Sequence, residues 1–168
     1  EKDKIILIGH SNGGRIALAF GSLYPEKLEK LILIDSAGIH HNELPIRIKR
    51  FMFKHIANLG KKLFPFPQLK NILYKTIGES DYKNALPILQ KTMESLIVVD
   101  LTRILDKISV PTLILWGAED KIIPLSDGKL MNKKIAGSKF YVIKSAKHSP
   151  QFTNTKETAE KILEFIKI

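Results

Sequence analysis

The stretch that decides the fold is Ile5-Ile6-Leu7-Ile8-Gly9-His10-Ser11-Asn12-Gly13-Gly14. Its apolar, β-branched beginning predicts a buried strand over residues 4–9, and the pattern that follows predicts a helix over residues 12–23. A serine at the tip of such a sharp turn needs small residues two positions to either side, because larger side chains would strike the neighbouring strand and helix. Gly9 and Gly13 meet that need, so the stretch predicts a nucleophile elbow with Ser11 at its tip.

Ser11 has two possible roles other than that of a nucleophile. It could be a small residue in a glycine-rich turn, or part of a phosphate-binding loop, since such strand-to-helix turns also bind anions. The stretch has no G-x-x-x-x-G-K-[ST] motif, and its glycines do not form G-x-G-x-x-G. The nucleophile is therefore favoured. The backbone N–H of Asn12 lies near the positive end of the predicted helix and is the candidate oxyanion donor.

Composition limits the classes of protein to which the chain can belong. The 168 residues suffice for one domain with a hydrophobic core, and none of them is a cysteine. Disulfides, thiolate catalysis and cysteine-bound metals are thereby excluded, and the composition fits a cytoplasmic protein. The chain begins at Glu1, just before a strand that would otherwise be an unpaired sheet edge. We therefore expect the later part of a longer protein, in which any signal peptide would precede Glu1.

The net charge of +10 comes from lysines spread along the chain, with only four arginines among the 27 basic residues. A surface dedicated to phosphate or nucleic acid would more often use clustered arginine. The charge is thus interpreted as a solvated lysine-rich surface, and no nucleic-acid partner is expected. No apolar run is long enough to span a bilayer. The expected partner is a small-molecule substrate.

The rest of the pattern predicts an α/β fold: a mostly parallel sheet flanked by helices. Strand, helix and strand in succession imply a βαβ crossover between parallel strands. Residues 39–109 contain no convincing strand and read as a helical insertion. The last helix is expected to begin with a capping box at Asn154 and Glu157 and to run to Ile168. Further strands are predicted over 30–34, 111–117 and 139–143, and a further helix over 125–136.

Loops that follow parallel strands emerge at one edge of the sheet, so their side chains can converge. Ser11, Asp120 and His148 each follow a predicted strand, in the order Ser, Asp, His that accompanies this elbow. A serine hydroxyl needs a base within hydrogen-bond reach, and the base is improved by an orienting carboxylate. Asp35, after the second strand, is the alternative acid. No His, Asp or Glu cluster has the spacing of a metal site.

The sequence resembles the C-terminal portion of the α/β-hydrolase fold superfamily. The resemblance is carried by residues 9–14, by Val110-Pro111-Thr112-Leu113-Ile114-Leu115-Trp116-Gly117-Ala118-Glu119-Asp120-Lys121-Ile122-Ile123-Pro124, and by Ala146-Lys147-His148-Ser149-Pro150. It implies that Ser11 is the nucleophile, His148 the general base and then acid, and Asp120 the orienting carboxylate. Asp120 is preferred to Asp35 because the segment that contains it matches the family better.

The resemblance also implies an organisation and an activity. Residues 1–38 and 110–168 would form the hydrolase core, and residues 39–109 the family's helical lid. The first strands of the family and the second oxyanion donor would precede Glu1. No cofactor and no metal are expected. The implied activity is a carboxylesterase-like cleavage of a small, largely apolar ester. The alternatives are carbon–carbon bond, lactone or amide hydrolysis, acyl transfer, or an inactive or binding protein.

Overall fold

The computed structural model describes residues 4–41 and 99–167, together with positions 86, 88, 92, 95 and 96. The chain divides into two compact units. The first comprises Glu1–Ile39 with Val99–Ile168, and the second comprises His40–Val98. Most of the predicted insertion over 39–109 thus lies outside the described residues, and its role as a lid stays a prediction. Residues 99–109 belong to the first unit.

The first unit is built on four parallel strands that lie side by side in chain order, β1 to β4. The α/β fold with a parallel sheet flanked by helices is therefore confirmed. The strands are β1 (Ile5–His10), β2 (Leu28–Ile34), β3 (Thr112–Gly117) and β4 (Lys139–Ile143). The helices are α1 (Asn12–Leu23), α2 (Leu125–Lys134), α3 (Pro150–Thr153) and α4 (Thr155–Ile166), with 3₁₀ turns at Pro25–Lys27 and Thr102–Lys107.

Side chains alternate between the two faces of the sheet, so each strand contributes to two apolar layers. On one face, Leu33 and Trp116 pack in a cluster that also contains Leu18 of α1, Met131 of α2 and Leu105 of the second 3₁₀ turn. On the other face, the neighbouring strand residues pack with Phe165 of α4; they are Ile32, Ile34, Leu113 and Leu115. Burying each such side chain contributes about 1.5–3 kcal/mol, which fixes the strand ends that carry the candidate site.

The start of the last helix differs from its prediction. Asn154 makes no side-chain hydrogen bond to the helix backbone, so the predicted capping box is wrong. Its amide instead donates to Ser145 Oγ at 3.1 Å, and its Oδ1 accepts the hydroxyl of Thr153 at 2.8 Å. The hydroxyl of Thr153 thus occupies the side-chain oxygen that would otherwise accept a backbone N–H in the first turn of the helix. The helix ends at Ile166 rather than at the end of the chain.

Candidate active site

Ser11 lies at the tip of the turn between β1 and α1, in a backbone conformation that serine rarely adopts. Its φ is 52°, in the left-handed region that normally costs an L-residue free energy. Three backbone hydrogen bonds hold it there. The Ser11 N–H donates to the carbonyl of Ile34, and the Ser11 carbonyl accepts from the N–H groups of Gly14 and Ala37. The end of β2 therefore supports the strained turn from outside it.

The glycines around Ser11 do not all serve the same purpose. A Cβ on Gly9 would lie 2.7 Å from the Cα of Gly14, and one on Gly14 would lie 2.1 Å from the Oγ of Ser36. A Cβ on Gly13 would meet nothing within 4 Å. The expectation that Gly13 relieves crowding at the elbow is therefore wrong for the described residues. The crowded pair is Gly9 and Gly14, where α1 crosses the ends of β1 and β2.

Three side chains from three different loops form a continuous hydrogen-bonded chain. The Oγ of Ser11 lies 2.9 Å from Nε2 of His148, and Nδ1 of His148 lies 2.8 Å from Oδ2 of Asp120. A carboxylate can only accept, so Nδ1 carries the proton and Nε2 of the neutral ring accepts the Ser11 hydroxyl. This arrangement can withdraw a proton from the serine while the carboxylate stabilises the resulting imidazolium.

Asp120 is held firmly in its orientation. Its Oδ1 accepts two backbone N–H groups, from Ile122 at 2.7 Å and from Ile123 at 3.0 Å. The side chain is fully buried, whereas that of His148 is 16% exposed. The loop that presents Asp120 is therefore shaped by the carboxylate itself, and only the second carboxylate oxygen remains for the imidazole.

The two loops that carry Asp120 and His148 touch at Gly117, the last residue of β3. A Cβ there would lie 2.3 Å from the carbonyl oxygen of Lys147 and 2.6 Å from that of Ala146. The glycine allows the backbone before His148 to pass directly over the end of β3. The sequence contains this glycine at a strand end, but nothing local indicates its contact with a segment about thirty residues later.

His10, which directly precedes Ser11, also takes part in the site. Its Nε2 lies 2.7 Å from the backbone carbonyl oxygen of His148. A carbonyl only accepts, so Nε2–H of His10 is the donor. The two imidazole rings lie with centroids 5.0 Å apart. The residue before the serine thus tethers the backbone of the residue that faces the serine hydroxyl.

Asp35, the alternative acid, makes no hydrogen bond to His148 in the described structure. Its side chain is fully buried, and its Oδ1 accepts the backbone N–H of Gly117 at 2.8 Å. Burial raises the pKa of Asp35 to about 7, although the Gly117 N–H acts in the opposite direction. The hydrogen bond to the imidazole is therefore made by Asp120, and an oxygen of Asp35 lies within 4.8 Å of a ring nitrogen of His148.

The Asn12 backbone N–H is one of the first N–H groups of α1, which have no acceptor within the helix. It immediately follows Ser11, at the position from which an oxyanion donor acts in such an elbow. Among the described residues, one cluster offers three possible metal-binding atoms, from His10, Asp35 and His148, all within 4.8 Å of one another. Both nitrogens of His148 are already engaged by Ser11 and Asp120, so we assign no metal to this cluster.

Comparison with known proteins identifies the family. The family model described as serine aminopeptidase, S33 matches residues 1–153. The chain belongs to this α/β-hydrolase family. The chain is 25% identical to a thermophilic esterase from Thermogutta terrifontis, whose malate-bound structure superimposes with a TM-score of 0.65 over 98% of this chain and 65% of that one.

Two curated relatives are similar over most of this α/β-hydrolase. A 2-hydroxy-6-oxononadienedioate/2-hydroxy-6-oxononatrienedioate hydrolase of Klebsiella pneumoniae is 28% identical over 98% of this chain and 62% of its own length. A pimeloyl-(acyl-carrier protein) methyl ester esterase of Neisseria meningitidis serogroup B is 25% identical over 95% of this chain and 68% of its own length. The chain thus spans about two thirds of these relatives. In the part of the chain that the structure describes, no helix is long and apolar enough to cross a membrane.

Proposed function

We propose that this chain carries the reacting groups of a carboxylesterase-like serine hydrolase that cleaves a small, largely apolar ester. The observation that supports it best is the hydrogen-bonded chain from Ser11 through His148 to Asp120, with links of 2.9 and 2.8 Å. Such a relay activates a serine for attack on a carbonyl. The esterase names of two relatives favour an ester as the substrate.

The proposed reaction has two halves that share one base. As Ser11 Oγ bonds to the carbonyl carbon, its proton passes to Nε2 of His148, and the carbonyl oxygen becomes an oxyanion facing the Asn12 N–H. The imidazolium then protonates the departing alkoxide, and an acyl-Ser11 remains. Water next gives a proton to His148 and attacks the acyl group, after which Ser11 recovers its proton and the acid leaves.

The energetic contributions follow from the geometry. A single oxyanion donor such as the Asn12 N–H contributes about 3–4 kcal/mol of transition-state stabilisation, so a second donor would matter equally. Asp120 stabilises the imidazolium that forms in both halves. Because its Oδ1 is already fixed by two backbone N–H groups, the carboxylate needs no reorganisation when charge appears on His148.

Amide hydrolysis is the second candidate, since the family model that matches residues 1–153 is described as a serine aminopeptidase. The same three side chains would form an acyl-enzyme from an amide, with His148 protonating an amine instead of an alkoxide. Initial rates on p-nitrophenyl esters of increasing acyl length, compared with aminoacyl p-nitroanilides, would separate the two candidates. A preference for anilides would displace the ester as substrate.

A fluorophosphonate probe tests the proposed nucleophile directly. The probe should label the wild-type protein at Ser11, as located by peptide mass spectrometry, and Ser11→Ala should lose the label. Ser109→Ala is the matched control, because Ser109 is exposed and precedes β3 at the opposite end of that strand from Asp120. Labelling that persists in Ser11→Ala, or a folded wild-type protein that takes no label, would contradict the proposal.

A further inference from the structure

Asp35 is buried in a way that its structural contact alone does not explain. Its side chain has no exposed surface, and its φ of 41° is in the left-handed region. One carboxylate oxygen accepts the Gly117 N–H, while Oδ2, equally buried, has no hydrogen-bond partner among the described residues. A buried polar atom without a partner normally costs free energy, so some feature of the site must favour a carboxyl group here.

The surroundings of the carboxyl group are the second observation. A carboxylate oxygen of Asp35 and one ring nitrogen each of His10 and His148 all lie within 4.8 Å of one another. The titratable groups that face Asp35 are thus His10 at the end of β1, Asp120 after β3 and His148 after β4. Two of these are imidazoles, and one of them is the proposed base.

A purely structural role would not require a carboxylate. The Gly117 N–H needs an acceptor, and the amide oxygen of asparagine would serve equally well at much lower cost of burial. What asparagine lacks is the negative charge. At separations of 4–6 Å an opposite charge strongly favours the charged form of its neighbour. A positive charge on His148 lowers the pKa of Asp35, and such coupling acts equally in both directions.

We propose that Asp35 is a positioning residue whose carboxylate supplies a second buried negative charge close to the His148 imidazolium. This inference rests on the proposed function, in which His148 is the base. Asp120 orients the ring through Nδ1, and Asp35 adds a field without a hydrogen bond to it. Above about pH 7, where Asp35 is ionised, two carboxylates therefore stabilise the imidazolium that forms during catalysis. No proton passes through Asp35 in the proposed reaction, and no bond to it forms or breaks.

The test follows the Asp35 carboxyl carbon by NMR as a function of pH, in the wild type and in His148→Asn. A positive charge on His148 lowers the pKa of Asp35, so its removal should move the Asp35 midpoint to higher pH. In Asp35→Asn, fluorophosphonate labelling should slow above pH 8, where Asp35 is ionised, and change little below pH 6, where Asp35 is protonated. Asp106→Asn is the control, because it removes a carboxylate that pairs with Lys134 at the surface, 3.1 Å away. Its Asp35 midpoint should match the wild type.

An unchanged Asp35 midpoint in a folded His148→Asn overturns the inference, since a merely structural Asp35 would not respond to the charge of His148. An Asp35→Asn that slows labelling equally at all pH values would also overturn it. If Asp35→Asn does not fold, the NMR midpoints of the wild type and of His148→Asn decide. Absent labelling of Ser11 in the wild type contradicts the proposed hydrolase function, while the NMR midpoints still decide the role of Asp35.

Discussion

Replacing Gly9 by alanine should damage the elbow, whereas the same change at Gly13 should not. The added Cβ at Gly9 would lie 2.7 Å from the Cα of Gly14 and 2.8 Å from both the Cβ of Ala17 and the carbonyl oxygen of Gly13. Carbon atoms in contact normally stay about 3.5–4.0 Å apart, so each overlap is close to 1 Å. None of the three atoms is the end of a flexible side chain, and α1 must therefore shift away from β1.

The expected size of the effect follows from these contacts. Overpacking of this kind costs about 1–3 kcal/mol of unfolding free energy, and the rigid neighbours favour the upper end of that range. Gly13 is exposed, inside α1, with open space where a Cβ would be, so alanine there should gain about 0.5–1 kcal/mol from helix propensity. Two identical chemical changes, four residues apart, should thus differ by roughly 2–4 kcal/mol.

Urea denaturation followed by tryptophan fluorescence measures both variants, because Trp116 is the single tryptophan and is fully buried in the core. Fluorophosphonate labelling provides the second measurement. Gly9→Ala should be less stable and should label more slowly, since Ser11 moves with α1, while Gly13→Ala should keep the wild-type labelling rate. Equal destabilisation by the two variants, or a neutral Gly9→Ala, would refute the assignment of the crowded position.

Three further predictions concern charge and hydrogen bonding. The pKa of Asp35 is raised from 3.8 to about 7, so the stability that its protonated form contributes is complete below about pH 4 and is lost as the pH rises through 7. The unfolding free energy of the wild type, measured with urea, should therefore fall by about 3 kcal/mol between pH 5 and pH 8. Asp35→Asn should not show this fall. His10→Phe removes the donor to the His148 carbonyl and should slow fluorophosphonate labelling, with partial recovery in His10→Gln. Lys30→Met removes two hydrogen bonds to carbonyls in the last turn of α4 and should lower the unfolding free energy by about 1.5–3 kcal/mol. Lys144 is exposed, so the control Lys144→Met should lower it by less than about 0.5 kcal/mol. Thermal or urea denaturation measures both variants.

Much of the fold is predictable because its signals are local. The strand over 139–143 has the bounds that its apolar pattern predicts, and the helix after Ser11 has the predicted bounds 12–23. The convergence of Ser11, Asp120 and His148 follows from one topological fact. Each side chain follows a parallel strand, and the carboxyl ends of neighbouring strands meet at one edge.

Features that depend on contacts between distant segments could not be predicted in the same way. Gly14 must be small because Ser36, at the end of β2, lies against it. Gly117 must be small because the backbone carbonyls of Ala146 and Lys147, in the loop after β4, lie against it. In each case the local pattern is compatible with the prediction, and a partner from elsewhere in the chain decides the outcome.

Backbone strain among the described residues is concentrated at the candidate site. The two non-glycine residues with positive φ in the described structure are Ser11 and Asp35, and each directly follows a strand. Ser11 N–H bonds to Ile34 of the neighbouring strand, and Asp35 N–H bonds to Leu115 of the next. The hydrogen bonding of the sheet thus continues one residue beyond each strand, which holds both residues in conformations that their own preferences disfavour. Burial of the apolar residues of β2 and β3 offsets the free-energy cost of these two strained conformations. Substitutions in that core should therefore change the geometry at Ser11 before they unfold the domain.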